Sequence, residues 1–291
     1  MTATFHKPNN NEMKNLSLRP DGMFSNVNEV VEQLRLANNG GYKFQIDWSS
    51  SCYRDQARPE DPWSYYFAPC FPELPAKSEL CEELLGGVPV ACSRDNIITP
   101  RELDGVCNPL LLPKDRHGAH ELIAKHLHLK PELLANVDAF VDAHFRDQMI
   151  GLHLRGAGRT DGGALELRAQ YNTQTGIPFE AYFIEVDRQL VEHPKAGIFL
   201  CSDSSFVIRT VQERYGDRIC IWPAQRSEFG EMHANHPKNA GQLFSPYRLG
   251  LDIVSEAWLL SRTDIFVHGN SNVANFVLCK SPDLIHAYVQ A

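Results

Sequence analysis

The sequence predicts an α/β protein whose C-terminal half forms a parallel, doubly wound sheet. From Met149 onward, short apolar segments alternate with amphipathic segments of helical length. The apolar segments, such as 198–201 and 265–267, are continuously apolar, as is typical of strands buried on both faces. The chain has 291 residues, enough for two lobes of about 150 each. We therefore predict an N-terminal lobe over residues 1–147 and a C-terminal lobe over residues 148–291.

Each element of the C-terminal half is predicted from its pattern and its boundaries. Pro178 at the start of one amphipathic segment is a common choice for the first turn of a helix. The predicted strands are 149–154, 197–202, 218–222, 264–267 and 284–288, and the predicted helices are 178–192, 204–215, 249–261 and 271–280.

The N-terminal half has a weaker pattern. Its first fifteen or so residues, rich in Asn, are predicted to be a frayed arm. Helices are predicted at 27–37, 119–129 and 131–145, with a strand at 42–48. An aromatic cluster at 63–67 lies in a loop-rich region. Its rings could stack on a sugar, but packing is the favoured interpretation.

Composition excludes several classes of function. The net charge of −8 argues against a protein that mainly binds nucleic acid or an anionic membrane. The eight cysteines include no CxxC pair, which favours reduced thiols and a cytoplasmic setting. The sequence has no apolar segment of membrane-spanning length, and its N-terminus does not resemble a signal peptide. A secreted domain without its leader remains an alternative.

Ligands of open parallel sheets bind beyond the carboxyl ends of the strands. This rule points to the residues after Leu154, Cys201, Trp222 and Val267. The first of these segments holds basic residues, glycines and an acid, namely His153, Arg155, Gly156, Arg159 and Asp161. Arginine forks bind phosphates, and glycine lets backbone N–H groups approach them. A solvated, glycine-rich turn is the alternative interpretation.

Two further segments carry small polar side chains at the start of a predicted helix. Asp203 and Ser204 follow the second strand, and Asn270, Ser271 and Asn272 follow the fourth. Ser202 or Asp203 is expected to cap the first of these helices, and helix N-termini also bind anions, so both roles stay open. Glu256 lies in a predicted apolar helix. If it is buried it needs a cationic partner, for which Arg155 and Arg159 are candidates.

Together these segments resemble the GDP-fucose-dependent fucosyltransferases, among them the rhizobial nodulation α1,6-fucosyltransferases and the related core α1,6- and protein O-fucosyltransferases. The likeness covers roughly residues 22–56 and 148–288, in the same order along the chain. The matching segments are Ile46-Asp47-Trp48 with Cys52-Tyr53 and Asp55-Gln56, His153-Leu154-Arg155 with Asp161, residues 198–204, and residues 256–262 ahead of Asn270-Ser271-Asn272.

The resemblance implies a two-lobed GT-B-like fold of two Rossmann-type lobes, with the donor on the C-terminal lobe. Arg155 matches the arginine that holds the donor pyrophosphate. Asp203 and Ser204 match the motif near the guanosine, and Ser271 and Asn272 match residues facing the β-phosphate. Glu256 matches an acidic residue that pairs with or positions the site, and is longer than the aspartate common there.

One position departs from the family pattern. Related enzymes often carry a second basic residue directly after the matching arginine, and this chain has Gly156 there. Arg159 is a candidate for the missing charge. The departure makes another nucleotide-sugar donor an alternative to GDP-fucose.

Sugar transfer also needs a general base for the acceptor hydroxyl. Asp47, Asp55 and Asp161 are candidates that the sequence does not rank. No metal is expected, because the sequence has no DxD pair, and His117-x-x-His120 and His233-x-x-His236 lack the glutamate of zinc hydrolases. Fixed cationic and N–H donors can instead stabilise the departing diphosphate.

The sequence thus predicts an inverting, metal-independent fucosyltransferase that uses GDP-fucose and a glycan acceptor containing N-acetylglucosamine. A non-catalytic nucleotide-sugar or glycan-binding protein of the same fold is the alternative from another functional class.

Overall fold

The computed structural model describes residues 13–20, 22–73, 82–85, 113–156, 177–227, 232 and 244–290. Seven α-helices and eight strands lie in these ranges. The strands are β1 (Met13–Ser17), β2 (Lys43–Asp47), β3 (Glu82–Leu85), β4 (Met149–His153), β5 (Gly197–Cys201), β6 (Ile219–Cys220), β7 (Ile265–His268) and β8 (Ile285–Tyr288). The helices are α1 (Met23–Gly40), α2 (Pro113–His126), α3 (Pro131–His144), α4 (Phe179–Glu192), α5 (Ser205–Tyr215), α6 (Pro246–Leu260) and α7 (Asn272–Lys280).

The C-terminal half forms the predicted parallel sheet. Its five strands lie in the order β6-β5-β4-β7-β8, and every neighbouring pair is parallel. Alternate residues of β5 face opposite cores: Ile198 and Leu200 pack with α4 and α5, whereas Phe199 packs with α6 and α7. Helices therefore cover both faces of the sheet, which explains why its central strands are apolar throughout.

The N-terminal half forms a second parallel sheet of three strands, in the order β2-β1-β3. Its central strand, β1, corrects the predicted frayed arm at residues 13–15, and residues 1–12 lie outside the described ranges. Leu16 of β1 is fully buried opposite Ile46 and Leu84. The strand is held by partners distant in sequence, and its own segment, MKNLS, has a single large aliphatic residue.

Other boundaries differ by a few residues. The first helix is longer than predicted, and it ends where Gly41 adopts φ 69°, a left-handed conformation that glycine accepts readily. The third strand of the C-terminal sheet is shorter, with only Ile219 and Cys220 paired to β5.

One continuous core joins helices from the two halves of the chain. Phe24 of α1 lies 4.9 Å from Phe276 of α7 between ring centroids. Phe67 lies 6.0 Å from Trp258 of α6. The aromatic cluster at 63–67 contributes four of its five side chains to this core, because Trp63, Tyr65, Tyr66 and Phe67 are at most 4% exposed. The packing interpretation of this cluster is thus confirmed, and the four rings are too buried to stack on a sugar. The division near residue 147 stays a prediction.

Within the described ranges, no helix combines the length and apolar character that a membrane span requires.

Candidate functional site

The carboxyl ends of β4, β5 and β7 meet at one edge of the five-stranded sheet. His153 ends β4 and is paired in register with Cys201 of β5 and with His268 of β7. Their side chains face α6 and α7, as the strand alternation requires. The predicted site residues that follow these strands are thereby brought together at one edge.

Arg155 and Asp203 form the centre of this edge. One carboxylate oxygen of Asp203 accepts a hydrogen bond of 2.9 Å from the backbone N–H of Gly156. Its other oxygen lies 3.5 Å from Nε of Arg155. The Arg155 side chain is 37% exposed, so its guanidinium is oriented by Asp203 and still accessible to an anion.

Gly156 is required by a close approach of the chain to α5. A Cβ atom at this position would lie 2.3 Å from Cγ2 of Val207 and 2.8 Å from Cβ of Ser204. This packing gives a physical reason for the departure from the family pattern, since no side chain fits beside α5 here.

Ser204 caps α5, and its neighbours tie the helix to the loop after β6. The Ser204 hydroxyl accepts from the Val207 N–H at 3.4 Å. Ser227 N–H donates to the Asp203 carbonyl at 2.9 Å, and Ser205 N–H donates to the Ser227 carbonyl at 3.0 Å. The cap is therefore Ser204, which corrects the expectation that Ser202 or Asp203 caps this helix.

Ser271 caps α7 in the same way and also contacts β4. Its hydroxyl accepts from the Ala274 N–H at 3.0 Å and lies 3.2 Å from Nδ1 of His153. Burial lowers the pKa of His153 to about 4, and the positive charge of Arg155 acts in the same direction. His153 is therefore neutral near pH 7, and its ring links the ends of β4 and α7.

The turn into α7 also carries buried amide groups. Oδ1 of Asn270, Oδ1 of Asn272 and both side-chain polar atoms of Asn275 have no hydrogen-bond partner in the described part of the chain. Buried polar atoms are nearly always paired with protein, water or ligand. The Asn272 carbonyl accepts from Asn28 of α1 at 2.9 Å, so this turn is anchored to the N-terminal half.

Glu256 is buried, and its cationic partner is Arg226 rather than Arg155. The Glu256 side chain is 4% exposed and that of Arg226 is 11% exposed, and the two form a close ion pair. The Cys201 thiol donates to the other carboxylate oxygen of Glu256 at 3.4 Å. Burial raises the pKa of Glu256, whereas Arg226 acts to lower it.

This ion pair supports the site without reaching its exposed surface. Arg226 also donates to the carbonyls of Trp222 and Gln225, at 3.2 and 3.3 Å. The sequence pattern points to the residues after Trp222 but does not single out Arg226. The pair is a scaffold for the loop that carries Ser227, and Glu256 has no described contact with Arg155.

The predicted base candidates Asp47 and Asp55 lie on either side of Tyr53. Burial raises the pKa of Tyr53, and the charge of Arg155 opposes this, which places the guanidinium within electrostatic range of the phenol. The Tyr53 hydroxyl accepts from the Met23 N–H at 2.9 Å at the start of α1.

Asp47 and Asp55 both stabilise turns. Each accepts a 2.9 Å hydrogen bond from the backbone N–H two residues further on, that of Ser49 and that of Ala57 respectively. Their proposed role as base stays a prediction. The third candidate, Asp161, and the candidate cation Arg159 lie outside the described residues, as do His233 and His236.

No group of three His, Cys, Asp or Glu side chains suited to holding a metal ion occurs in the described ranges. His120 is engaged with the Lys280 carbonyl at 2.8 Å, and His117 lies 3.5 Å from Asp283. Both histidines thus have contacts that dock α2 on the C-terminal half.

The arrangement is suited to binding an anionic group. A guanidinium and the N-termini of α5 and α7 lie at one edge. Such fixed donors stabilise phosphate without rearranging.

Comparison with known proteins gives one significant sequence relative among the curated proteins. It is nodulation protein Z of Bradyrhizobium diazoefficiens, which is 25% identical over 279 residues, covering 80% of this chain and 69% of the relative. No protein-family model matches the chain.

Solved structures share the fold across nearly the whole chain. Fucosyltransferase NodZ from Bradyrhizobium superposes with a TM-score of 0.55 at 17% identity, covering 96% of this chain and 95% of that one. A variant of Arabidopsis thaliana FUT1 in complex with GDP gives a TM-score of 0.56 at 11% identity, covering 94% and 69%. The resemblance found in the sequence is thus confirmed: the chain is a homologue of nodulation protein Z and has the fold of the GDP-fucose fucosyltransferases.

Proposed function

We propose that this chain is a fucosyltransferase that transfers fucose from GDP-fucose to a glycan acceptor. The observation that carries the proposal is the Arg155–Asp203 pair at the carboxyl edge of the sheet. Ligands of open parallel sheets bind at this edge, and the chain shares the fold of NodZ, an α-1,6-fucosyltransferase whose structure was also solved after soaking with GDP-fucose. The Gly156 N–H holds the Asp203 carboxylate, and this carboxylate orients the Arg155 guanidinium without a ligand.

In this proposal the donor diphosphate contacts Arg155 and the N-termini of α5 and α7. As the bond from the sugar to the diphosphate breaks, negative charge grows on the leaving phosphate. The guanidinium and the helix N-termini stabilise that charge, so the reaction needs no metal ion. The acceptor hydroxyl attacks the opposite face of the anomeric carbon, which inverts its configuration. The proposed acceptor contains N-acetylglucosamine.

We further infer that the two parallel sheets are the two lobes of a GT-B arrangement. Two observations support this inference. Tyr53 of the N-terminal half lies within electrostatic range of Arg155. Asn28 of α1 is hydrogen-bonded to the turn before α7. The acceptor then binds beside the segment 47–55, opposite the donor edge.

The first test is the GDP affinity of Arg155→Ala, measured by calorimetry. Hydrogen bonds to charged groups contribute about 1.5–3 kcal/mol, so the affinity should fall about 10- to 100-fold and fucose transfer should be lost. The control is Arg188→Ala, since Arg188 is an exposed residue of α4 paired with Glu185. Retained transfer in Arg155→Ala would overturn the assignment.

A second test separates donors and reaction types. GDP at a hundredfold excess over its Kd should stabilise the protein by about 2.7 kcal/mol in a thermal-shift assay. Stabilisation by UDP but not by GDP would exclude GDP-fucose as the donor. Turnover that survives EDTA supports transfer without a metal, and its loss would contradict that part of the proposal.

The general base can be identified by separating binding from turnover. Asp47→Asn, Asp55→Asn and Asp161→Asn are each compared for GDP affinity and for kcat. A base contributes about 10²- to 10⁴-fold to the rate. The correct variant should lose that factor in kcat with GDP affinity unchanged, and three variants with normal kcat would refute all three candidates.

A further inference from the structure

A chain of hydrogen bonds runs from α2 to the turn before α7. Nη1 of Arg116 lies 3.2 Å from Nε2 of His286 on β8. Nδ1 of His286 lies 3.2 Å from Nε2 of His268 at the end of β7. Nδ1 of His268 lies 3.0 Å from the carbonyl oxygen of Gly269. Three side chains from three elements thus end on one backbone carbonyl.

The chemistry of these groups fixes the direction of every hydrogen bond. Arginine carries donors only, so Nε2 of His286 accepts from it. A neutral imidazole has one donor and one acceptor, so Nδ1 of His286 carries the proton and donates to His268. The same reasoning puts the His268 proton on Nδ1, from which it is donated to Gly269.

The surroundings keep both rings neutral. Burial lowers the pKa of His268 to about 3, with His286, His153 and Arg116 acting in the same direction and the hydrogen bond to Gly269 opposing them. Partial burial and the Arg116 charge lower the pKa of His286. Arg116 is only 8% exposed and has no carboxylate within ion-pair distance in the described ranges, so its described side-chain partner is this histidine chain.

The last of these hydrogen bonds, from His268 to the Gly269 carbonyl, controls the orientation of a peptide group at the site. In a trans peptide the C=O and N–H bonds point in opposite directions. With the Gly269 carbonyl held toward His268, the Asn270 N–H points away from the buried ring. Asn270 directly precedes Ser271, the cap of α7.

We propose that Arg116, His286 and His268 are positioning residues that fix the Gly269–Asn270 peptide, so that the Asn270 N–H faces the donor diphosphate. This inference rests on the proposed function of the site. A buried guanidinium at one end polarises the successive hydrogen bonds in one direction, which strengthens the hold on the Gly269 carbonyl.

The experiment compares His286→Ala, Arg116→Met and the double variant. His286 lies on the exposed edge strand, so its removal leaves no core cavity. The matched control is His117→Ala, which removes another exposed histidine of α2, one that contacts Asp283 just ahead of β8. GDP affinity is measured for all four, and ¹⁵N NMR of labelled histidines reports the protonated ring nitrogen in the wild-type protein.

The expected loss of GDP affinity is about two- to tenfold in each single variant, since one oriented hydrogen bond is weakened. The double variant should lose no more than a single one, because the chain acts as a unit. His117→Ala should bind GDP as the wild type does. In the wild type, His268 and His286 should both be neutral and protonated on Nδ1.

The inference is overturned if the losses of GDP affinity in His286→Ala and Arg116→Met add in the double variant. It is also overturned if His286→Ala binds GDP as the wild type does, or if the ring of His268 or His286 is protonated on Nε2. Comparison with Arg155→Ala distinguishes failure of the positioning role from failure of the proposed function. If Arg155→Ala loses GDP affinity and His286→Ala does not, only the positioning role fails. If the wild-type protein does not bind GDP, the proposed function fails. The role of the Arg116–His286–His268 hydrogen bonds in donor binding then fails as well. The NMR result still decides whether these hydrogen bonds exist.

Discussion

Replacing Gly269 by alanine should strain the turn that leads into α7. An added Cβ would lie 2.2 Å from the Tyr182 hydroxyl oxygen, well inside van der Waals contact, with the next atoms at 3.3 Å (Cζ of Tyr182) and 3.7 Å (Cδ1 of Ile177). Tyr182 is fully buried in α4, so its ring has little room to move. Overpacking of this kind costs about 1–3 kcal/mol.

The structure identifies a second change that should relieve this strain. Tyr182→Phe removes the one atom at 2.2 Å and leaves the nearest neighbour at 3.3 Å. Tyr182→Phe alone removes only the hydroxyl group of this buried ring, and its cost is measured in the same cycle. In the double variant the strain is relieved, so the combined cost should be smaller than the sum of the two single costs by about 1 kcal/mol or more.

The assay is urea unfolding of the four proteins in the cycle. Gly118→Ala is the control, because a Cβ there meets nothing within 4 Å and Gly118 lies inside α2. That substitution should stabilise the protein by about 0.5–1 kcal/mol. A neutral Gly269→Ala, or costs that add within error in the double variant, would refute the packing argument.

Further predictions concern buried ionisable groups. Arg226→Met should destabilise the protein by about 3–5 kcal/mol in urea unfolding, because Glu256 is left buried without its cation. The double variant Arg226→Met with Glu256→Leu should recover part of this loss. If the costs of the two substitutions simply add in the double variant, the ion-pair role is contradicted. The free energy of unfolding should fall as the pH drops from about 6.5 toward 4, since the unfolded chain binds protons on His153 and His268 that the folded protein does not. His153→Gln should reduce this slope, and an unchanged slope would mean that His153 is charged in the folded protein. Tyr66→Phe should cost about 0.5–1.5 kcal/mol through loss of its 3.0 Å bond to the Tyr247 carbonyl, and an unchanged free energy of unfolding would contradict that contribution.

The C-terminal sheet could be predicted because its information is local. Apolar strands such as 197–201 and capped helices such as α5 and α7 are visible in short windows of sequence. The strand ends then determine where Arg155 and Asp203 must meet. The site edge therefore followed from topology alone.

Contacts distant in sequence could not be predicted in this way. β1 contains few apolar residues, and its burial depends on β2 and β3. Glu256 pairs with a residue thirty positions earlier, across a loop with no fixed geometry in the sequence. The need for glycine at position 156 depends on Val207 of another element. In each case tertiary packing, and not local pattern, decides the outcome.

The hydrogen bond from Asn28 to Asn272 spans 244 residues of sequence. During synthesis, α1 leaves the ribosome well before the turn and helix that contact it. The part of the α1 surface that contacts α7, including Phe24, therefore stays uncovered until α7 has been made. Closing so long a loop slows folding, and the exposed face favours aggregation in the meantime. We expect this protein to depend on chaperones during its biogenesis, and truncation before α7 to give insoluble chains.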